Sequence, residues 1–432
     1  MKVLISGAGI AGPTLAYWLS VYSIQSTLVE RAPRLRRGGY AIDFWGRGFD
    51  VAERMRIIPE IRRDGYQIRE FRLVNAQGRR IGGFNLDVFR AATAGRYVTI
   101  PRSDLAKNIY QKAEGHCETI WGDSITGIEQ DAGGVEVAFE RQPPRRFDVV
   151  IGADGLHSVV RKLVFGNEDR FERFLGYSVA AFEATGYQPR DEDVYVNYST
   201  PGKQVGRLSM RNDRTLFLFV FADERDIAID PHDTQAYRTV LRSEFGNLGW
   251  ECPQILAAME MCDELYFDRV SQIRMDTWSK GRVGLVGDAA FCPSVLAGQG
   301  SALAMVGAYV LAGELGRTGS SPEQALKRYE DQLHPFMLAK QKAAEKFASS
   351  FAPRTRLGLF LRNQITRAMA IPLVTKRLMR STLLDRMDLP YYEEKASLQP
   401  VTANAGDQPS DEQRQFGNER PEAGRRPGAS SA

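Results

Sequence analysis

Lys2-Val3-Leu4-Ile5-Ser6-Gly7-Ala8-Gly9-Ile10-Ala11-Gly12 opens the chain, and Ser26-Thr27-Leu28-Val29-Glu30 follows one helix later. Lys2 to Ser6 reads as a buried strand, Ala11 to Ser20 as a helix and Ser26 to Glu30 as a second strand, a βαβ unit in about thirty residues. The Gly7, Gly9 and Gly12 spacing sits between strand and helix, where a dinucleotide fingerprint belongs. Gly7 permits the tight turn, Gly9 lets a pyrophosphate approach the backbone, and Gly12 lets helix and strand pack closely. The helix N-terminus offers free N–H groups to the phosphates. Glu30 ends the second strand, where a carboxylate accepts hydrogen bonds from a ribose diol. These residues leave NAD and FAD equally open.

Outward from this unit, Phe147 to Ile151 and Arg282 to Val286 are short apolar strands that run into glycine turns and helices, as an open parallel sheet requires. The second ends in Gly287-Asp288, which puts a carboxylate at the carboxyl edge of the sheet, where the ribityl hydroxyls of an FAD would lie. Gly298-Gln299-Gly300-Ser301 then opens the helical run to Leu315, whose N-terminus favours negative charge on a reduced flavin. Between these segments, Tyr195 to Asn197, Val205 to Met210 and Leu216 to Phe221 are broken by Pro201-Gly202 and Asn212-Asp213, the signature of an antiparallel sheet. The fold expected is α/β: a doubly wound, Rossmann-like FAD-binding domain with an inserted antiparallel-sheet substrate domain and C-terminal helices.

Two further stretches, Pro101-Arg102-Ser103-Asp104-Leu105 and Gly152-Ala153-Asp154-Gly155-Leu156-His157-Ser158, complete a set of four motifs. In their order and spacing the chain resembles the single-component FAD-dependent aromatic hydroxylases, the para-hydroxybenzoate hydroxylase class. Within it the sequence is most similar to tetracycline-inactivating and polyketide-tailoring monooxygenases, over about residues 1–390. The resemblance implies that Gly7, Gly9, Ala11, Gly12, Glu30 and Arg31 hold the ADP part of FAD, that Arg102 contacts the cofactor, and that Asp288 binds ribityl-side hydroxyls or pyrophosphate. It further implies that Gly298, Gln299, Gly300 and Ser301 border the flavin, that Asp43 stands beside the cofactor, and that Asp154 belongs to a second fingerprint met by FAD and by the transient nicotinamide. Ser158 is either part of that site or a helix cap.

The chain departs from the family twice. Phe291, Cys292, Pro293, Ser294 and Val295 stand where a His and a Pro-Pro pair are common, placing Pro293 and Val295 beside the flavin with Val295 in place of a proline. Ala302 replaces a frequent Asn. The implied reaction is NAD(P)H reduction of FAD, addition of O2 at flavin C4a, and delivery of oxygen from the hydroperoxide to an aromatic, phenolic or polyketide-type small molecule. It calls for no catalytic side chain and no metal. The absence of a second strand–GxGxxG–helix unit argues that NADPH or NADH docks transiently, with Arg34, Arg36 and Arg37 as a candidate phosphate cluster. Tyr195, Asn197, Arg207, Met210 and Phe219 form the candidate substrate lining, at the boundary between the two domains.

The boundaries read from the sequence are 1–75 plus 100–165 plus 270–345 for the FAD-binding domain, 76–99 plus 166–269 for the substrate domain, 346–396 for C-terminal helices and 397–432 for a disordered tail. Composition supports a globular enzyme: 432 residues, 43% hydrophobic, 25% charged, four cysteines and a net charge of +4. Wholesale disorder and disulfide scaffolds are excluded, and the balanced charge points to no nucleic-acid partner. Cys117, Cys252, Cys262 and Cys292 are spaced as reduced core thiols rather than as a zinc site. With no signal peptide and no spanning stretch, a cytoplasmic monomer or weak homodimer is expected, with Arg354 to Arg380 packing its apolar face on the protein rather than on a membrane. An NAD-dependent dehydrogenase, an FAD-dependent oxidase or dehydrogenase, and a flavin-dependent halogenase are the competing functions.

Overall fold

A computed structural model describes residues 1–36, 38–223, 233–371 and 387–392. Lys2–Ser6 and Gln25–Glu30 pair in parallel, and they form the middle of a six-stranded sheet in the order 279–280, 283–285, 149–152, 2–6, 25–30, 118–121. Only its Ser279–Lys280 edge is antiparallel. The expected strand at Phe147 to Ile151 is two: Arg145–Phe147 joins a three-stranded layer, and Val149–Gly152 joins the central sheet. Helix Ala11–Val21 is buried along almost its whole length, because it lies between the sheet and two neighbouring helices, Arg102–Ala113 and Gly300–Gly316. The latter is apolar on all sides, as a helix at the centre of a core must be, and residues 302–315 are buried without a break.

A second sheet has seven strands, in the order 265–273, 172–185, 214–222, 203–209, 194–200, 70–74, 80–85. The turns expected at Pro201-Gly202 and Asn212-Asp213 are present, and both Asn212 and Asp213 take positive φ. Unlike the sequence expectation the sheet is not wholly antiparallel, since Val194–Thr200 runs parallel to Glu70–Val74. Glu70–Val74, placed by the sequence boundaries with the FAD-binding part, is a strand of this sheet.

Register decides which side chains face which way. Tyr195 pairs with Leu208 and Leu208 with Leu216, whereas Val196 pairs with Arg207 and Arg207 with Phe217. Paired residues project to the same face of a sheet and successive residues to opposite faces. The Arg207 side packs beneath helices Thr234–Phe245 and Cys252–Glu260, with Phe182, Phe217, Phe219, Phe221 and Phe245 as its core. The Tyr195 side turns toward the nucleotide-type half, where Tyr177, Val179 and Val220 meet Val295 and Leu296.

The long helix expected from Glu323 runs from Pro322 to Phe351, and a shorter one spans Arg356–Ala368. The latter departs from expectation. Leu357, Phe360, Leu361 and Ile365 are all more than half exposed, so its most apolar stripe is turned outward. Arg37, the part of the Arg354 to Arg380 stretch beyond Ile371, and the segment beyond Tyr392 lie outside the described residues. No helix among the described residues is long and apolar enough to cross a membrane.

Candidate active site

The glycine turn is built as its spacing requires. Gly7 has φ +105°, and a Cβ there would lie 2.6 Å from the Ala153 carbonyl oxygen, so the first turn abuts the second fingerprint. A Cβ on Gly12 would lie 1.9 Å from the Gly7 oxygen. The Glu30 carboxylate accepts from the Ala8 N–H (2.8 Å) and the Ala32 N–H (2.9 Å). Each oxygen keeps a further lone pair for a hydroxyl. Ala11 begins the helix, while Arg31, Arg34 and Arg36 are exposed.

Arg102 starts helix Arg102–Ala113 directly after strand Tyr97–Pro101, and its N–H donates to the Tyr40 carbonyl at 3.0 Å. Its guanidinium reaches over Gly9, in company with the Tyr40 phenol, Asp288, Tyr266 and Cys292. Burial opposes its charge, but these phenols, the carboxylate and the thiol outweigh burial and hold its pKa above the ordinary value. Burial pushes the Tyr40 phenol up to about 12 against the pull of Arg102. It raises the Asp288 carboxyl as well, with Arg102 again countering. Asp288 opens the short helix Asp288–Phe291, and a Cβ on Gly300 would lie 3.5 Å from its Oδ1. The carboxylate therefore stands at the N-terminus of Gly300–Gly316, next to Gly298, Gln299 and Ser301.

Asp43 is deep beneath the surrounding protein yet reached by solvent, as a side chain lining a cleft must be. Burial raises its carboxyl, opposed by hydrogen bonds from Tyr97 and from Thr99 Oγ1 at 2.7 Å. Its charge is felt by Tyr195, whose phenol burial and Asp43 together raise. Tyr195 and Asn197 lie on the cleft side of the seven-stranded sheet, and Met210 packs on that same side with Leu208 and Leu216. Arg207 and Phe219 do not. Strand parity puts both on the helix-covered face, where Arg207 is ion-paired with Asp191 (2.7 Å) and Glu251 (3.0 Å) and Phe219 packs on Phe245. Neither side chain lines the cleft.

The Asp154 carboxylate accepts from Ser158 Oγ (2.5 Å) and the N–H groups of Val159 (2.8 Å) and Val160 (3.1 Å). Ser158 is the N-cap of helix Val159–Val164, so these two side chains are occupied in shaping the turn. Arg161, fully buried, binds the Leu156 and Ala289 carbonyls and Glu168, tying this turn to the Asp288 helix. Pro293 is held through its carbonyl by Gln272 Nε2 (2.9 Å), which also donates to the Gln341 carbonyl. Gln341 in turn donates to the carbonyls of Ile273 (2.6 Å) and Cys292 (3.2 Å). Sequence reasoning missed Arg161, Gln272, Gln341, Tyr40 and Tyr266, because none carries a local signature. Ser294 has φ +106°, and the turn Val295–Ala297 after it presses onto the cleft side of the second sheet.

A dinucleotide fits this groove. A Cβ added at Gly9 would have only Arg102 Nη2 near it, at 3.8 Å, and one at Gly155 or Gly298 would meet nothing within 4 Å. Three glycine turns thus border open space beside a guanidinium and two carboxylates.

Residues 1–344 match the FAD binding domain family. A flavin-dependent monooxygenase of an unknown prokaryotic organism is 34% identical, over 91% of this chain and 99% of its own. A flavin-dependent monooxygenase of Legionella longbeachae is 32% identical, over 91% and 98%. Among solved structures, tetracycline destructase Tet(51) superposes with a TM-score of 0.76 at 32% identity, covering 90% of this chain and 99% of that one.

Proposed function

Because the chain belongs to the FAD binding domain family, matches flavin-dependent monooxygenases along nine-tenths of its length and is itself an FAD-dependent monooxygenase, we propose that it uses NAD(P)H and O2 to hydroxylate an aromatic, phenolic or polyketide-type small molecule. One observation carries this reading: the turn Val295–Ala297, which leads directly into the N-terminus of Gly300–Gly316, packs on the Tyr195 side of the second sheet. An electropositive helix end and an aromatic sheet face meet there across one cleft. The kinship of Tet(51), whose name states its substrate, supports a polycyclic, polyketide-like occupant.

In this reading the FAD-binding part is built mainly from 1–69, 100–165 and 274–345, and the substrate part from the second sheet. Gly7, Gly9, Ala11 and Gly12 give the pyrophosphate its backbone approach, and Glu30 takes ribose hydroxyls with Arg31 beside it. Arg102 supplies positive charge over Gly9. Asp288 accepts from cofactor hydroxyls, Gln299 to Ser301 present N–H groups beside Gly298, whose own N–H is held by the Val295 carbonyl, and Asp43 and the Asp154 turn close the flanks. When bound, FAD supplies the redox chemistry and the activation of O2. The protein's own work is positional. Tyr195 and Asn197 orient the substrate, Val295 and the apolar residues around it exclude water, and the Gln272–Gln341 clamp fixes the loop that carries Pro293. Arg34 and Arg36 stand exposed for a transient nicotinamide cofactor.

The test is isotopic. With NADPH or NADH, 18O-labelled O2 and candidate phenols and polyketides, the product gains one labelled oxygen. Hydride consumption with no label in any product would make the protein an oxidase or dehydrogenase instead.

A further inference from the structure

Helix Arg356–Ala368 lies across the second sheet at Arg80–Asn85 and Val194–Thr200. Arg367 Nε donates to the Ile81 carbonyl at 2.7 Å, fixing the helix along that edge strand. Just past the helix, Met369 packs into the cluster of Tyr66, Phe84, Leu208 and Tyr195, on the cleft side of the sheet. In a helix, residues seven apart share one face. Arg362 is therefore carried on the same inward face as Met369, with buried Thr366 between them. The opposite, outward face is the exposed stripe of Leu357, Phe360, Leu361 and Ile365.

Among the described residues Arg362 has no counter-charge. Its Nε and Nη2 are shielded from solvent and have no hydrogen-bond partner, and the neighbouring Asn363 Oδ1 is likewise buried without one. Among the described residues no carboxylate stands within ion-pairing distance of it. A guanidinium with two nitrogens shielded and unpaired is unfavourable as it stands, and an anion arriving beside it would relieve that penalty.

We propose that Arg362 recognises the substrate's acidic group: the cleft takes a molecule whose carboxylate, or ionised enol or phenol oxygen, seats against this guanidinium, with Asn363 Oδ1 free to accept from an adjacent hydroxyl or N–H. The proposal rests on the reading that substrate binds on the cleft side of the second sheet. Burial alone draws the Arg362 pKa down to about 10, so the group stays cationic at neutral pH. A planar guanidinium also suits a two-oxygen acid better than an ammonium would.

The experiment uses the full chain loaded with FAD, and two probes that differ in one charge, 3-hydroxy-2-naphthoate and its methyl ester. Affinities at pH 7 are measured by calorimetry for the wild type, Arg362→Met and Arg362→Lys, and melting temperatures are measured without ligand. The wild type should bind the acid about tenfold or more tighter than the ester. Arg362→Met should erase that preference, leave ester affinity within about twofold and melt at least about 2 °C higher, because it removes an uncompensated charge. Arg362→Lys should keep part of the preference. Acid binding no tighter than the ester in the wild type, a preference that survives in Arg362→Met, or a lower melting temperature in that variant would each overturn the proposal. Oxygenation of the probes is scored separately: a wild type that oxygenates neither counts against the substrate-cleft reading, whereas an unchanged acid preference in Arg362→Met counts against Arg362 alone.

Discussion

A single added methyl group meets opposite surroundings at Gly9 and Gly12. At Gly12 it would press into the Gly7 carbonyl oxygen, 1.9 Å away, while at Gly9 its nearest neighbour is an arginine nitrogen at 3.8 Å. Gly12→Val should therefore cost more than about 4 kcal/mol and yield little folded protein, and Gly9→Val should fold with a normal melting curve yet purify colourless. A yellow Gly9→Val protein would take this glycine out of the cofactor site. Asp288→Ala should also fold, with FAD affinity at least about tenfold weaker, since a charged acceptor contributes about 1.5–3 kcal/mol to a hydrogen bond; flavin release on dilution measures it. Val295 bears on coupling. Its N–H makes no backbone hydrogen bond in the turn among those formed by residues 290–298, so Val295→Pro removes none. The proline should stiffen the turn and raise the ratio of product to NAD(P)H consumed, and an unchanged ratio would count against a role for this side chain in excluding water.

At the scale of elements, the turn Gly152–Ser158 is braced from outside by His157. Its Nδ1 lies 2.8 Å from Glu168 and its Nε2 3.5 Å from Asp268, so three separate segments meet at one imidazole. Hydrogen bonds to Asp268 and then Glu168 raise its pKa to about 10. The folded-state value lies above the unfolded one of about 6.5. The stabilisation is thus complete below about pH 6.5 and disappears as pH rises through about 10. With the side chain 63% exposed, screening keeps the effect small. The melting temperature of the wild type should fall more steeply than that of His157→Asn between about pH 7 and 10, and parallel curves would mean that the imidazole is not charged in the fold. The opening βαβ unit was legible because its signals are local: a strand, three glycines and a helix within one stretch. Arg207 shows where legibility stops. Its strand could be read, but the face it presents depends on a register set by segments far apart in sequence. A buried arginine committed to Asp191 and Glu251 looks, in sequence, like one aimed at a ligand. Gln272 and Gln341 were illegible for the same reason, since their partners are backbone carbonyls sixty-nine and forty-nine residues away from Gln272 and Gln341 respectively.

For the whole molecule, the chain past its last described helix returns to the core. The Tyr392 ring lies directly on Gly313, where a Cβ would come within 2.3 Å of it, and its hydroxyl donates to Glu314 at 2.9 Å. Two residues earlier, the Pro390 carbonyl accepts from Arg54 Nη1 (2.9 Å) and from the Tyr309 hydroxyl (2.9 Å). Glu314 is only 3% exposed and also pairs with Arg328 at 2.7 Å, so removing the tyrosine leaves its charge with a partner. The loss is then mainly that of a buried aromatic ring over a glycine. Tyr392→Ala should destabilise by about 3 kcal/mol. Gly313 lies on the same helix whose N-terminus faces the cleft, so the anchor steadies the element that presents Gly300 and Ser301 to the cofactor. Truncation after Tyr392 removes a stretch rich in Gly, Pro, Ser and charged residues that cannot build a core, and it should leave the melting temperature and FAD content unchanged. Truncation after Ile371 removes the anchor as well, and it should lower both. Equal melting temperatures for the two truncated chains would show that the Tyr392 contact contributes nothing to the fold.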